Sequence, residues 1–268
     1  MLKESTLFGK VNKVKVAMNR LRLHEPPEGY YVAFSGGKDS CVVLDLCKRA
    51  KVKYDVHYNV TTVDPPELTR FIRQYHPDAW EERNKPEIDM WHLIPEKRMP
   101  PTRIARYCCE YFKERGGAGR FVVTGVRHAE SARRAKRKMV ETCNVHRDKR
   151  YIHPIIDWSD AEVWEYIHTN NVPYCKLYDE GEKRIGCIMC PYQGSKGMKR
   201  DAARWGQYAK AYEAAFQRMI DKRREDGLPT QWETGEDVMR WWIGEDHRLK
   251  ENDAQITLFG LRMDESSV

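Results

Sequence analysis

The chain has 268 residues, with 47 lysines and arginines against 40 aspartates and glutamates, a formal net charge of +7. This favours anionic partners without choosing among sulfate, nucleotides and nucleic acids. A mean hydropathy of -0.77, 32% charged residues, no apolar run near the roughly 20 residues of a membrane helix and no apolar segment of a secretory signal after Met1 argue against a membrane-spanning or exported protein and for a soluble, cytoplasmic one.

In the N-terminal segment, Leu7, Val11, Val14, Met18 and Leu21 recur at spacings of four and three. With Ser5 or Thr6 as N-cap, this predicts an amphipathic helix. The stretch 24–29, rich in proline and glycine, interrupts it, and the apolar run Tyr30–Phe34 reads as the first core strand. That strand breaks into Ser35, Gly36, Gly37, Lys38, Asp39 and Ser40, followed by a helix over 41–49. Paired glycines let consecutive amides turn toward one anion, with a helix N-terminus behind them, so the hexapeptide suits the phosphates of a nucleotide. It has neither the Walker A nor the G-x-G-x-x-G spacing. On the hexapeptide alone, an ordinary turn and N-cap stays open.

A second strand is expected within 53–62, leading into a polar loop with Asp64 and Glu67 and a helix over 67–74. The stretch from Trp91 to Pro101 is too broken by proline to assign. A third strand over 121–124 ends at Gly125, and a fourth covers 151–156. Ser159 and Glu162 have the spacing of a capping box at the start of a helix over 162–169. Strands alternating with helices predict an α/β fold, a doubly wound, mostly parallel sheet with the glycine-paired loop at a strand's carboxyl end, where open sheets bind ligands. Beyond Lys196, the residues Trp205, Tyr208, Tyr212, Phe216, Met219 and Ile220 form one apolar stripe on a long helix, read as core rather than as a base-stacking platform. Trp232, Trp241 and Trp242 should fold this part back. The organisation expected is an N-terminal helix in 1–27, a nucleotide-binding domain in 28–195 and a helical, Trp-rich appendage in 196–268.

Eight cysteines in a chain without an export signal should stay reduced. Cys108 and Cys109, with Cys187 and Cys190 in a C-x-x-C, supply four thiolates that can hold a 4Fe-4S cluster or a zinc ion, and spacing does not separate the two. Buried thiols at 108 and 109 beside a redox C-x-x-C is the alternative. Cys41, Cys47, Cys143 and Cys175 read as structural. Lys38 brings a cation to the phosphate site, while Ser35, Ser40 and the amides of Gly36 and Gly37 can donate to its oxygens. Asp39 can hold Mg2+ or cap the following helix, with the cap favoured. Asp64 and Glu67 are placed either to contact ribose, adenine or a metal, or to sit in a surface turn. Trp158, Trp164 and Tyr178 read as packing residues. The run Arg134, Lys136, Arg137 and Lys138 reads as solvated surface, and no histidine pair has metalloprotease spacing.

The hexapeptide resembles the PP-loop of the adenine nucleotide alpha hydrolase superfamily. Taken with the segments 124–133, 153–167 and 172–187, in order over about 28–192, the chain resembles the phosphoadenosine phosphosulfate (PAPS) reductase family. The cysteine pattern is similar to that of its iron-sulfur members, adenosine phosphosulfate (APS) reductases and relatives that modify nucleic acids with sulfur. The resemblance implies 4Fe-4S over zinc at Cys108, Cys109, Cys187 and Cys190. It also implies a nucleotide site, for ATP, APS or PAPS, from the loop with Asp64, Gly125, Arg127 and Arg133. Lys38, Asp39 and Arg127 are the catalytic candidates, and a guanidinium fork suits phosphate or sulfate.

Sulfonucleotide reductases resemble one another in a C-terminal tail with a nucleophilic cysteine, and no cysteine follows Cys190 here. A thiolate is what their chemistry requires. The expectation is therefore ATP-dependent activation at the alpha phosphate linked to sulfur transfer, with a nucleic acid or a sulfur-carrier protein as partner. The alternatives are a reductase using a thiol from elsewhere, with thioredoxin as partner, and a nucleic-acid-binding module regulated by nucleotide or cluster.

Overall fold

Strands of three to five residues make up the central sheet, each too short to stand without paired neighbours. The computed structural model describes residues 1–6, 9–114, 116–143 and 148–245. Its strands are β1 (Lys3–Thr6), β2 (Gly9–Asn12), β3 (Tyr30–Phe34), β4 (Tyr54–Tyr58), β5 (Phe121–Val123), β6 (Val140–Thr142) and β7 (Arg150–Ile152). Its α-helices are α1 (Lys13–Leu23), α2 (Lys38–Ala50), α3 (Pro66–Tyr75), α4 (Pro77–Glu81), α5 (Met90–Lys97), α6 (Tyr107–Cys109), α7 (Asp160–Asn170), α8 (Gly194–Arg204), α9 (Gly206–Glu225) and α10 (Gly235–Trp242). The chain divides into two compact units that interleave in sequence. The first holds 1–60, 64–85 and 113–186, and the second holds 61–63, 86–112 and the described residues from Cys187 onward. This division runs across the chain-order boundaries expected from sequence, since Cys187 and Cys190 belong with the C-terminal helices.

In the first unit the sheet order is β4-β3-β5-β7-β6. The first four strands in that order run parallel, and β6 runs antiparallel to β7 at the edge. The chain passes from β3 to β4 on one side and returns to β5 on the other, which makes the carboxyl end of β3 a topological switch point. Val32 lies opposite Val56 and Val123, and all three are buried. Helix α2 packs against β3, α1 and α7 and buries Val42, Val43, Leu44, Leu46 and Cys47.

The N-terminal helix starts later than its apolar spacing predicts. Val11 lies in β2, which pairs antiparallel with β1, and Leu7 falls outside the described residues. Asn12 fixes the start of α1, because its side chain accepts hydrogen bonds from the Val14 and Lys15 amides, satisfying two of the donors that a helix leaves open.

In the second unit α9 packs against α5 and α10. Its stripe of Tyr212, Phe216, Met219 and Ile220 is buried, as are Leu93, Ile94, Trp232 and Trp242, and the Trp242 indole donates to the Pro101 carbonyl at 2.5 Å. The expected long helix is two, divided at Trp205, whose backbone leaves the helical region. The segment left unassigned contains α5 with Pro95 inside it. A proline there frees the carbonyl four residues earlier, and that carbonyl, of Trp91, accepts from Arg218 at 3.2 Å.

Candidate nucleotide and thiol sites

The 35–40 loop joins β3 to α2 at the switch point. Gly36 has φ +70, and a Cβ there would lie 2.7 Å from Leu68 and 2.9 Å from Ile72, so only glycine lets the loop lie down on α3. Gly125, just past β5, is required for a different reason. A Cβ on it would meet the Asp39 carbonyl carbon at 2.8 Å and the Asp39 Cβ and oxygen at 2.9 Å, so the backbone after β5 abuts the first turn of α2. Ser40 Oγ accepts from the Ser35 amide at 3.3 Å and donates to the Gly37 carbonyl at 2.8 Å. The Gly37 amide donates to Ser35 Oγ at 3.4 Å. The Lys38 amide donates to the Tyr178 hydroxyl at 2.9 Å.

Charges converge behind this loop. Lys38 is buried, and its Nζ lies 3.3 Å from Asp39 and 3.1 Å from Asp160. Arg127, 2% exposed, donates from Nε to Asp39 at 2.7 Å, from one terminal nitrogen to the Trp158 carbonyl at 3.2 Å and from the other to Asp160 at 3.1 Å. Two cations and two carboxylates thus form one network. Burial opposes ionisation of Asp160, but the hydrogen bond and charge of Lys38, reinforced by Arg127, outweigh it and hold the carboxyl below its ordinary value. Burial pushes the Tyr178 hydroxyl up, so it remains a neutral partner at the loop.

Several expected residues therefore meet here: Ser35, Gly36, Gly37, Lys38, Asp39, Ser40, Gly125 and Arg127. Their placements refine the expected roles. Asp39 does not cap α2, whose N-cap is Gly37 without a side-chain cap bond. Arg127 has all three guanidinium nitrogens engaged by protein oxygens, so its fork holds the two carboxylates in place. Asp64 is buried and accepts from the Tyr58 hydroxyl at 2.6 Å. Arg133 is exposed and makes no hydrogen bond or ion pair with the loop among the described residues. Asp160 and Tyr178 belong to the site and were missed. Asp160 was visible only as part of a helix start and Tyr178 only as an aromatic, while their pairings span 122 and 140 residues in Asp160–Lys38 and Tyr178–Lys38.

The four clustered cysteines all belong to the second unit, and none of the eight cysteines forms a disulfide. The Cys108 thiol is pushed far up by its hydrogen bond with Cys109, then by burial and by the charges of Cys109, Cys187 and Cys190. The C-x-x-C turn is held from inside. Buried Asp201 accepts from the Met189 amide at 2.8 Å and from Gln193 Nε2 at 2.7 Å, and the Ile188 amide donates to the Val63 carbonyl at 2.8 Å. Met189, at φ +56, takes the left-handed conformation that costs a side-chain-bearing residue roughly 1 kcal/mol, and these bonds keep it there. Among the described residues no three or more His, Cys, Asp or Glu side chains close on a single-ion position. Four thiols that act on one another's ionisation are a donor set that suits either a zinc ion or an iron-sulfur cluster.

Sheet order, switch point and glycine-paired loop define an α/β protein with a loop suited to anions at the carboxyl end of β3. Residues 29–193 match the model for the phosphoadenosine phosphosulfate reductase domain, and the chain belongs to that family. Similar proteins include an adenosine 5'-phosphosulfate reductase of Oceanobacillus iheyensis, 29% identical over 192 residues, covering 65% of this chain and 75% of the relative. Two uncharacterized proteins of Methanocaldococcus jannaschii are each 31% identical, over 234 and 176 residues. The matches take in 82% and 59% of this chain but 43% and 40% of those relatives' lengths. Among solved structures, a PAPS reductase from Candida auris in a phosphate complex superposes with a TM-score of 0.51 at 21% identity, covering 64% of this chain and 87% of that one. At that identity the likeness shows the fold.

Proposed function

We propose that the protein binds ATP with Mg2+ at the 35–40 loop, activates an acceptor by attack at the alpha phosphorus, and uses this activation for sulfur transfer. The observation that carries the reading is the pair of carboxylates, Asp39 and Asp160, flanking Lys38 at 3.3 and 3.1 Å. A sulfonucleotide binding through Lys38 without a divalent ion would draw that cation out of a network balanced at two against two and leave both carboxylates to Arg127 alone, whereas a triphosphate that arrives with Mg2+ replaces the positive charge that Lys38 gives up to phosphate. In the step itself an acceptor oxygen forms a bond to the alpha phosphorus, the bond to the bridging oxygen breaks, and pyrophosphate leaves with that electron pair. Lys38 and the amides at the start of α2 stabilise the charge that grows on the alpha phosphate and the leaving group. Arg127 keeps Asp39 oriented, and Tyr178 fixes the Lys38 backbone.

Cys108, Cys109, Cys187 and Cys190 are the residues that would hold a 4Fe-4S cluster. When bound, such a cluster supplies an electron couple or a coordination position for sulfur. Anaerobic purification followed by iron, sulfide and zinc counts tests that assignment, and stoichiometric zinc without labile sulfide refutes it.

The activity test is pyrophosphate release from ATP by cluster-loaded protein, with candidate acceptors. Lys38→Ala should lower the rate by roughly a hundredfold or more, the scale of losing a charge-stabilising donor. Sulfite release from APS with a thiol reductant, and no pyrophosphate from ATP with any acceptor, would replace this reading with a reductase.

A further inference from the structure

Helix α8 departs from its neighbour in charge. Lys196, Lys199, Arg200 and Arg204 are exposed, and their spacing of three, four and eight residues from Lys196 puts them on one face. The helix has one acidic residue, Asp201, which is buried and serves the C-x-x-C turn. In contrast α9 mixes its lysines and arginines with Glu213, Asp221 and Glu225. No acidic residue occupies the first turn of α8 although Lys196 does, the reverse of what the helix dipole favours. The positive face is therefore not a device for stabilising the helix.

A second feature adjoins it. Tyr192, in the turn Pro191–Gln193 that links Cys190 to α8, is 47% exposed. The Arg106 guanidinium lies over its ring at 5.1 Å from the centroid, and exposed Arg103 donates to the Pro191 carbonyl at 3.1 Å and the Tyr192 carbonyl at 3.4 Å. An exposed ring backed by a guanidinium and continued by basic residues at one-turn intervals, about 5.4 Å along the axis, combines the two elements that hold single strands: a stacking face and a repeating positive track.

We propose that the face formed by Tyr192, Arg103, Arg106 and the basic side of α8 binds a single-stranded segment of nucleic acid, with a base stacked on Tyr192 and phosphates along α8. An acidic protein would be drawn by the same charges, but its aromatic rings are not tied to its carboxylates at a regular spacing, whereas every phosphate of a nucleic acid strand comes with a planar base, which favours nucleic acid on a face that joins an exposed ring to a basic track. The site lies in the second unit, on residues that take no part in the nucleotide chemistry proposed above, and its readout needs no turnover, so either reading can fail alone.

The test is fluorescence anisotropy of a labelled single-stranded RNA of about 12 nucleotides, with the full chain, between 50 and 200 mM salt. Lys199 is paired with Glu245 and Arg200 with Asp201, so with three phosphates neutralised by Arg103, Lys196 and Arg204 the slope of log affinity against log salt should be about -2.1. Lys196→Ala should flatten it by about 0.7. Tyr192→Ala should weaken binding about fivefold to a hundredfold, the range for a lost base stack, with the slope unchanged. Both variants should keep the wild-type thermal midpoint and nucleotide affinity, which separates a lost contact from a lost fold. Absence of binding at 50 mM salt, or binding indifferent to these substitutions, overturns the proposal. Displacement of the RNA by polyglutamate at equal charge concentration, together with indifference to Tyr192→Ala, would assign the face to an acidic protein and overturn it as well.

Discussion

Replacing Gly125 by alanine tests whether the nucleotide loop depends on close approach of two backbones. The added Cβ would lie 2.8 to 2.9 Å from the Asp39 carbonyl carbon, oxygen and Cβ, where carbon pairs are comfortable at about 3.5 to 4.0 Å. Side-chain rotation cannot relieve an overlap of roughly 0.7 Å with main-chain atoms, so the segment after β5 and the first turn of α2 must separate. Overpacking of this kind costs about 1–3 kcal/mol, a fall in thermal midpoint of roughly 2–12 °C for a chain of this size. The displaced turn is the one whose amides and Lys38 are proposed to meet the phosphates, so ATP affinity by calorimetry should fall about tenfold or more. Gly206→Ala is the control, since a Cβ there meets nothing within 4 Å, and it should be neutral or slightly stabilising. A Gly125→Ala protein with the midpoint and affinity of the wild type would refute the reasoning.

Arg127→Gln leaves Asp39 and Asp160 without their shared guanidinium, and breaking a buried pair from one side should cost about 3–5 kcal/mol in urea unfolding at pH 7; a cost under about 1 kcal/mol would mean that the network does not hold the site. Asp201→Ala removes the acceptor of two hydrogen bonds at the C-x-x-C turn and should lower stability by about 2–4 kcal/mol and, in anaerobically reconstituted protein, lower iron content; unchanged iron would separate the turn from the thiol site. Glu162 supplies a pH signature. Burial would raise its carboxyl, but hydrogen bonds from Lys13 and the Ser159 amide bring it down to about 2, against an ordinary 4.5. Its contribution is therefore complete above about pH 4.5 and is lost as pH falls from there toward about 2. Lys13→Met should cost about 1–3 kcal/mol at pH 7, a deficit that narrows over that acid window, and a deficit independent of pH would rule out the pair as its source.

How much of this was legible depended on how local each signal is. The strand Tyr30–Phe34, the loop after it and the capping box at Ser159 announce themselves within a few residues, and the structure has them in place. The β1–β2 pair was not legible because Val11 fits both a two-residue and a four-residue period, and only Asn12 decides where helix begins. Helix α5 was hidden by Pro95, whose disruption is absorbed by a guanidinium more than a hundred residues away in sequence. β6 is a three-residue edge strand, too short to show any period. Of the nucleotide site, the residue types were readable and their pairings were not. An arginine after a strand looks the same whether it will hold a phosphate or two aspartates, and for Arg127 only the approach of α2 and α7 makes the choice.

The interleaving of the units has a consequence for synthesis. Thr61–Val63 and 86–112 emerge early, but their partners in the second unit lie beyond Cys187. A ribosome making this chain therefore releases the apolar side of α5, including Leu93 and Ile94, well before α9 exists to cover it. The nascent protein must shelter that surface for about a hundred residues of translation, roughly 5 to 20 seconds at ordinary rates. No single cut separates the units either, so a fragment ending at 186 would carry orphaned segments of the other and should be sought among insoluble products rather than as an independent domain.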